Sequence, residues 1–403
     1  MFLNRLLTPR ALTKPKPDGG SSLIATGRTR SGQDITADTA LRVSSVFSCV
    51  RLLSETMAAM PLGLYQKQDR NRIEAKDHPL HQLLSNLPNS EMTSFDFRTQ
   101  VMASLLLQGK SYSQILRDRA GRVGEIWPQM PNICQLDRDK SGKLVLVVEG
   151  EPKAWTMDKV FRINGLTTNG VDGLSPIGLM RETIGSAMAM EHYSAALFGN
   201  GAKPGGVLSI PGQLSSKGQD RLIESWNKTH GGADNANKVA VLQEGMKWEQ
   251  IAMNAADAQF IESRKYNRSE IAGIYGVPPN MIGDLDRATF SNVENQGLQY
   301  VIYSCVPWIT RFEQSAFRDL LTPEERKTYY TKFNVRGLLR GDTTARSAFY
   351  RELFNVGAYS PNMILALEDE NPVEGGDQHF INGANMTLEQ AKNNIVNGAP
   401  NAD

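Results

Sequence analysis

The sequence predicts a multidomain α+β fold, and three observations carry that expectation. Apolar residues recur first at helical and then at strand spacing between residues 40 and 163. A compact stretch, 203–254, reads strand, helix, strand, strand and is set between two helices. Finally, 257–296, DAQFIESRKYNRSEIAGIYGVPPNMIGDLDRATFSNVENQ, reads as a helix, a hard stop, a short loop and the start of a much longer helix.

In chain order, residues 1–37 form an arm carrying Arg5, Arg10, Lys14 and Lys16, with a Pro/Gly/Ser-rich stretch at 13–22 that is expected to be disordered. A helix over 40–59 places Val43, Phe47, Val50, Leu53 and Met57 at 3/4 spacing for burial, and Pro61 ends it. A strand over 62–66, a helix over 94–107 and strands over 112–117, 143–149 and 160–163 complete a mixed unit, 38–174.

Ser175 and Pro176 then supply an N-cap and a first-position proline for a helix within 175–202. Its apolar face, Ile177, Met180, Ile184, Met188 and Leu197, is thin and interrupted by Glu191 and His192. The inserted module contains strands at 207–210, 239–242 and 247–253 and a helix at 216–229, whose Leu222, Ile223 and Trp226 are expected inward. The returning helix, within 255–277, has a centre of Ser263-Arg264-Lys265-Tyr266-Asn267-Arg268-Ser269, with almost nothing to bury. Two readings stay open: a solvated surface helix, or one that packs against copies of itself.

Gly276-Val277-Pro278-Pro279 is the stop, because glycine leaves the helix with φ > 0 and two prolines remove two N–H donors. The following loop, 278–288, mixes Met281, Ile282 and Leu285 with Asp284, Asp286 and Arg287. Ser291 and Glu294 have capping-box spacing for a restart within 289–338. The long helix aligns Val293, Gly297, Val301, Cys305, Trp308, Phe312, Ala316 and Leu320. It should run about 45 Å with a bend at Pro307. A strand at 329–335, helices at 343–355 and 361–367 capped by Asp342 and Ser360 (unit 339–385), and a tail, 386–403, finish the chain.

Lys+Arg 44 against Asp+Glu 43, a formal charge of +1, argues against tight phosphate neutralisation. Three dispersed cysteines, Cys49, Cys134 and Cys305, support neither a disulfide framework nor a zinc site. No stretch reaches the roughly 18 apolar residues of a membrane span, and no apolar signal core follows the basic start. A soluble chain with no membrane partner is the expectation.

Several motifs stop short of chemistry. Gln108-Gly109-Lys110-Ser111 ends like a phosphate loop, but Ser104 stands where the first glycine is needed and LLLQ precedes it as helix. Gly173-Leu174-Ser175-Pro176-Ile177-Gly178 has its second glycine one residue late for a nucleophile elbow. His78 and His81 flank Pro79 with no acidic or cysteine ligand nearby, and Asp284-Leu285-Asp286 has Thr289 where a calcium loop requires glycine. The expectation is no catalytic residue, no metal and no cofactor. Composition leaves a two-metal nuclease open, but a strand-borne carboxylate cluster is missing.

The segment at 257–296 resembles the stem helix, tunnel loop and long kinked helix of the tailed-bacteriophage portal, or head-to-tail connector, family. Further stretches agree in order: ALRVSSVFSCVRLLSETMAAMPLGLY from Ala40, HPLHQLL from His78, DGLSPIGLM from Asp172, FGNGAKPGGVL from Phe198 and FNVRGLLRGD from Phe333. The resemblance implies a ring-forming fold: a wing (38–174), a first stem helix (175–202), a clip (203–254), a second stem helix (255–277), a tunnel loop (278–288), a long kinked helix with a wing return strand (289–338) and a crown (339–385). It implies a ring of about twelve subunits at one capsid vertex. That ring nucleates head assembly, docks a separate large terminase subunit and conducts double-stranded DNA, then retains and ejects it and joins a head-tail adaptor. Major capsid and scaffold proteins are the other implied partners, and assembly would occur in the host bacterial cytoplasm before incorporation into the virion.

On this resemblance Met281, Ile282, Asp284, Leu285, Asp286 and Arg287 line the DNA channel at the tunnel loop. Arg264, Lys265 and Arg268 line the stem, and Lys217, Lys228 and Glu244 bind partners at the clip. From 257 to 298 six acidic residues, Asp257, Glu262, Glu270, Asp284, Asp286 and Glu294, face four basic ones, Arg264, Lys265, Arg268 and Arg287, a balance suited to sliding rather than gripping. The alternatives are a minor capsid or head-tail adaptor protein, or a terminase/nuclease-type enzyme. A ring with an axial channel separates the first from the portal reading, and metal-dependent cleavage separates the second.

Overall fold

The computed structural model describes residues 28–68, 71–199, 206–209, 211–212, 215–230, 245–250, 256–284, 296–335, 343–368, 370–381 and 386–387. The basic arm before residue 28, the strand expected at 239–242, Glu244, the loop positions Leu285, Asp286 and Arg287, the capping box at Ser291 and Glu294, and the cap at Asp342 lie outside them. The chain divides into two compact units, Met1–Asn334 and Val335–Asp403.

The first unit opens with α1 (Ala37–Ala40) and α2 (Ser44–Ala59) rather than one continuous helix. Thr36 and Thr39 form a reciprocal capping box for α1. Val43, at the junction, has extended backbone. Val43, Val50, Leu53 and Met57 are buried as their spacing predicts, but Phe47 is exposed, its ring 5.9 Å from the Arg51 guanidinium. Within α2 Phe47 lies about 100° around the helix from Val46, outside the arc that buries Val46, Val50, Leu53 and Met57.

Next come β1 (Leu62–Gln68), β2 (Asn71–Glu74), α3 (Pro79–Ser85) and α4 (Ser94–Gln108). α4 packs on α2. Arg98, buried in α4, donates through Nη1 to the Met60 carbonyl at 2.9 Å, tying α4 to the end of α2. Burial lowers its pKa to about 10, so the guanidinium remains charged at neutral pH.

β3 (Lys110–Arg117), β4 (Val123–Gln129) and β8 (Val160–Asn164) make one antiparallel sheet in the order β4-β3-β8. A second, β5-β6-β7, consists of β5 (Cys134–Arg138), β6 (Leu144–Val148) and β7 (Trp155–Thr156). Tyr112, Leu136, Leu146, Val148 and Val160 form a common apolar cluster between these sheets. The strands β2, β4, β5 and β7 and the helix α3 were not among the expected elements.

The expected helix after Ser175 is split into α5 (Pro176–Leu179) and α6 (Arg181–Gly199). Ser175 caps it, accepting from the Gly178 N–H at 3.2 Å and donating to the Leu107 carbonyl at 3.0 Å. β9 (Gly206–Ser209), α7 (Ser216–His230) and β10 (Lys247–Gln250) are the described parts of the inserted module, with β9 and β10 antiparallel. Ile223 of α7 is exposed rather than inward.

α8 (Ala256–Tyr275) follows and packs on α6 and α2. Its centre is exposed, as its composition predicts, but Ile271, Ala272 and Tyr275 are buried, so its last turns are core after all. The long helix is described from residue 296. It contains a π-helical stretch, Tyr300–Cys305, before α9 (Val306–Asp319). The expected bend at Pro307 takes this form: Val306 N–H bonds back to the Val301 carbonyl, and Pro307 has no N–H to restore the α register.

α9 lies against β8 and against β11 (Tyr329–Phe333), which pairs antiparallel with β1. Phe312 sits edge-on to Phe161 at 5.5 Å and to Phe333 at 5.3 Å, joining helix, sheet and return strand. The second unit contains α10 (Thr343–Asn355), α11 (Pro361–Leu367), and the paired β12 (Phe380–Ile381) and β13 (Met386–Thr387). Ser360 caps α11, accepting from the Met363 N–H.

Candidate channel surface

The helix α8 is fastened to α6 by three contacts. Arg264 Nη1 donates to Ser194 Oγ at 3.2 Å, Asn267 Nδ2 donates to the Thr183 carbonyl at 3.3 Å, and Tyr193 and Phe260 meet edge-on at 5.1 Å. Ser263, Arg264, Lys265 and Tyr266 remain exposed, Tyr266 at 72%. Glu262, Arg268 and Glu270 are exposed on the same helix, so the two-helix post presents a polar surface of mixed charge.

The post ends abruptly. Gly276 has φ +68°, and Val277 N–H returns to the Ala272 carbonyl at 2.9 Å. A single 3-10 turn, Pro279–Ile282, follows and closes at Gly283 with φ +86°. Arg268 donates to the Ile282 carbonyl, Ser269 Oγ donates to Asp284 Oδ2 at 3.2 Å, and Asp284 N–H bonds the Pro279 carbonyl at 3.0 Å. Ser304 donates to the Gly276 carbonyl, linking the stop to the long helix. The start of the loop is thus held in one geometry.

That geometry corrects one expectation. Ile282 is only 7% exposed, because the 3-10 turn packs on α8 and α2 and turns this side chain into the subunit. It is a core residue of the subunit and not the channel-lining side chain the resemblance implied. Met281 and Asp284 are half-buried. Arg268, expected as stem lining, is exposed but uses its guanidinium to brace the turn. At the inserted module Lys217 is exposed near the start of α7, and Lys228 lies in its last turns.

The phosphate-loop fragment proves to be the wrong end of a helix. Gly109 is the left-handed C-cap of α4, φ +73°, so the local helix presents carbonyls and its negative dipole end. Lys110 Nζ pairs with Asp172 at 3.4 Å. The adjoining cleft is lined by Gln100, Ser104, Lys110, Asn132, Asn169 and Asp172 among others.

His78 caps α3: its Nδ1 accepts the Leu80 N–H at 3.1 Å, which leaves the ring proton on Nε2, 3.1 Å from Glu325 Oε1. His81 Nδ1 accepts from Leu64 N–H. Contrary to the expectation from the sequence, a carboxylate stands beside each ring, Glu325 at His78 and Glu74 Oε1 at 3.9 Å from His81 Nε2. No group of three His, Cys, Asp or Glu suited to a metal occurs among the described residues. No described helix is long and apolar enough to cross a membrane. Burial raises the Cys49 thiol to about 12 and Cys134 and Cys305 to about 11. They are protonated, inert packing groups.

Glu325 allows a pH test. Burial pushes its carboxyl upward, but hydrogen bonds from the Thr322 backbone and side chain and from His78 outweigh this and hold it below the ordinary value. A depressed folded-state pKa contributes stability that is present above the unfolded pKa and lost as pH falls through the folded one. Glu325→Gln should therefore be less stable than wild type at pH 7, with the gap closing as pH falls below about 4. Denaturant titrations of both proteins across that range check it, and a gap that is constant with pH contradicts the assignment.

The family model for phage portal proteins matches residues 44–369. The probable portal protein of Streptomyces phage phiC31 is 34% identical over 367 residues, spanning 86% of this chain and 78% of that one. The portal protein of Enterobacteria phage HK97 is 29% identical over 381 residues, 93% of this chain and 88% of that one. Among solved structures, a chain from the neck of a native gene transfer agent particle, computed with C12 symmetry, matches with TM-score 0.60 at 21% identity. It covers 90% of this chain and 97% of the other. The crystal structure of an HK97 family phage portal protein from Corynebacterium diphtheriae matches with TM-score 0.58 at 20% identity, over 78% and 98% of the two chains.

Mixed helices and sheets, with a polar two-helix post of α6 and α8, place the chain in the α+β class. The chain belongs to the phage portal protein family.

Proposed function

We propose that about twelve copies of this chain close into a ring at one capsid vertex and conduct double-stranded DNA through its axis. The observation that carries this is the exposed polar surface Ser263–Tyr266 on a helix braced by α6 and stopped rigidly at Gly276. The C12 symmetry of the similar neck structure supports the copy number. In this reading α2–β8 with β11 is the wing, α6 and α8 are the stem, β9–β10 with α7 is the clip and α10–α11 the crown.

Arg264, Lys265 and Arg268 line the stem, and Met281, Asp284, Leu285, Asp286 and Arg287 form the tunnel loop. DNA slides because each contact is weak: phosphate binding at every subunit would act as friction, and the carboxylates of this loop oppose it. ATP hydrolysis belongs to a separate large terminase subunit, which docks at the clip during packaging and gives way to the head-tail adaptor. Capsid and scaffold proteins contact the outer ring during assembly in the host bacterial cytoplasm.

Charge reversal at the clip tests the docking part. Lys217→Glu with Lys228→Glu should abolish co-purification with the large terminase subunit and leave the native mass of the oligomer unchanged; loss of the oligomer with docking retained reverses the assignment. For the channel, a photoreactive probe at position 285 should crosslink to DNA in full capsids. No crosslink there sinks the tunnel-loop reading.

A further inference from the structure

We propose that Arg268 is a positioning residue for the tunnel loop, acting on passing DNA by holding the root of that loop against the second stem helix and not by touching phosphate itself. This rests on the stem and tunnel-loop reading and changes the part Arg268 plays in it. Arg268 Nη2 donates to the carbonyl of Ile282, fourteen residues further on. The next residue of α8 acts on the same turn, since Ser269 Oγ donates to Asp284 Oδ2 at 3.2 Å. Two consecutive helix residues thus hold the far end of the turn.

Residue 268 stands two helical turns, about 12 Å, before the stop at Gly276. The chain beyond the stop therefore turns back along α8 and packs on it before continuing to Leu285, Asp286 and Arg287. Helical phase puts Arg268 on one stripe with Ile271, Ala272 and Tyr275, three and four residues apart, and those side chains are buried. The Cys49 thiol of α2 agrees with that direction: burial pushes its pKa up, and the nearby Arg268 charge opposes the push. Gly283 admits the guanidinium, because its φ is +86° and a Cβ there would crowd Arg268 Nη2 at 3.0 Å.

A guanidinium bonded to a carbonyl is a charge-assisted contact, stronger than the neutral bonds around it. The turn's other ties are local: Met281 N–H bonds the Pro278 carbonyl, Gly283 N–H that of Asn280, and Asp284 N–H that of Pro279. They shape the turn but do not fix it to the helix. Arg268 and Ser269 do, so α8 sets where the loop stands in the bore. A cation committed to its own chain also adds little friction against sliding phosphates, unlike Arg264 and Lys265 on the exposed centre of the helix.

Hydrogen-exchange mass spectrometry of Arg268→Ala is the first test. The amides of Met281, Gly283 and Asp284 are expected to exchange about tenfold faster than in wild type, with those of Ile271–Tyr275 unchanged. Wild-type exchange at 281–284 overturns the proposal. Should Arg268→Ala fail to fold, Ser269→Ala decides instead, with faster exchange expected at Asp284 and no change overturning it. Duplex DNA binding to the ring across a salt series then separates positioning from contact: Arg264→Ala should flatten the dependence of affinity on salt, whereas Arg268→Ala should leave it as in wild type. Equal flattening makes Arg268 a phosphate contact and overturns the proposal. In full capsids, a probe at position 285 is expected to lose most of its crosslinking to DNA when Arg268→Ala is present, and an undiminished yield overturns it as well. If the wild-type probe gives no crosslink, the tunnel-loop reading fails; the exchange result is distinguishable from that failure, because both ends of the latch lie in one subunit.

Discussion

Gly109→Val is expected to destabilise the first unit by about 3 kcal/mol or more. Gly109 has φ +73°, where a β-branched residue is strained, and a Cβ there would lie 1.8 Å from the Leu174 carbonyl oxygen. The approach is mutual: a Cβ at Gly173 would lie 1.9 Å from the Gly109 oxygen, and Gly165 N–H bonds that same oxygen at 2.7 Å. Three backbone segments thus meet with no room for a side chain, joining the end of α4 to the segment that launches α5. Denaturant unfolding measures the effect. A variant that retains wild-type stability contradicts the close approach, and with it the physical reason that Gln108-Gly109-Lys110-Ser111 is a helix end.

Phe312→Ala should cost about 3–5 kcal/mol. Phe312 is buried between Phe161 of β8 and Phe333 of β11, so its removal leaves a cavity where the long helix, the sheet and the return strand meet. The paired control is Phe317→Ala on the same helix, substantially exposed, which should change stability by about 0.5 kcal/mol or less. Equal losses at both positions would mean that the seam does not hold the unit together.

Much of the fold was legible because it is written in local chemistry. Proline and glycine mark Pro61 and Gly276, and serine caps at Ser175 and Ser360 open helices where their spacing says they should. The long-helix series was correct for Val301, Cys305, Phe312, Ala316 and Leu320, since a strongly periodic stripe survives even a π-helical turn. Short strands were less legible. β5 (CQLDR) and β7 (WT) exist through pairing with β6, and pairing across a sheet leaves little trace in so few residues.

The candidate surface divides in the same manner. The polar centre of α8 was readable from composition alone, whereas the burial of Ile271, Ala272 and Ile282 depends on α2, which lies more than two hundred residues earlier in the chain. Ile282 was expected to line the channel because a loop sequence does not reveal that a 3-10 turn folds it inward.

The most direct measurement is a cryo-EM reconstruction of the purified chain without imposed symmetry. The expected result is a closed ring of about twelve copies whose bore is lined by α8 at Arg264 and Lys265. A chain that remains monomeric, or a ring with α8 on its outer rim, would contradict the account.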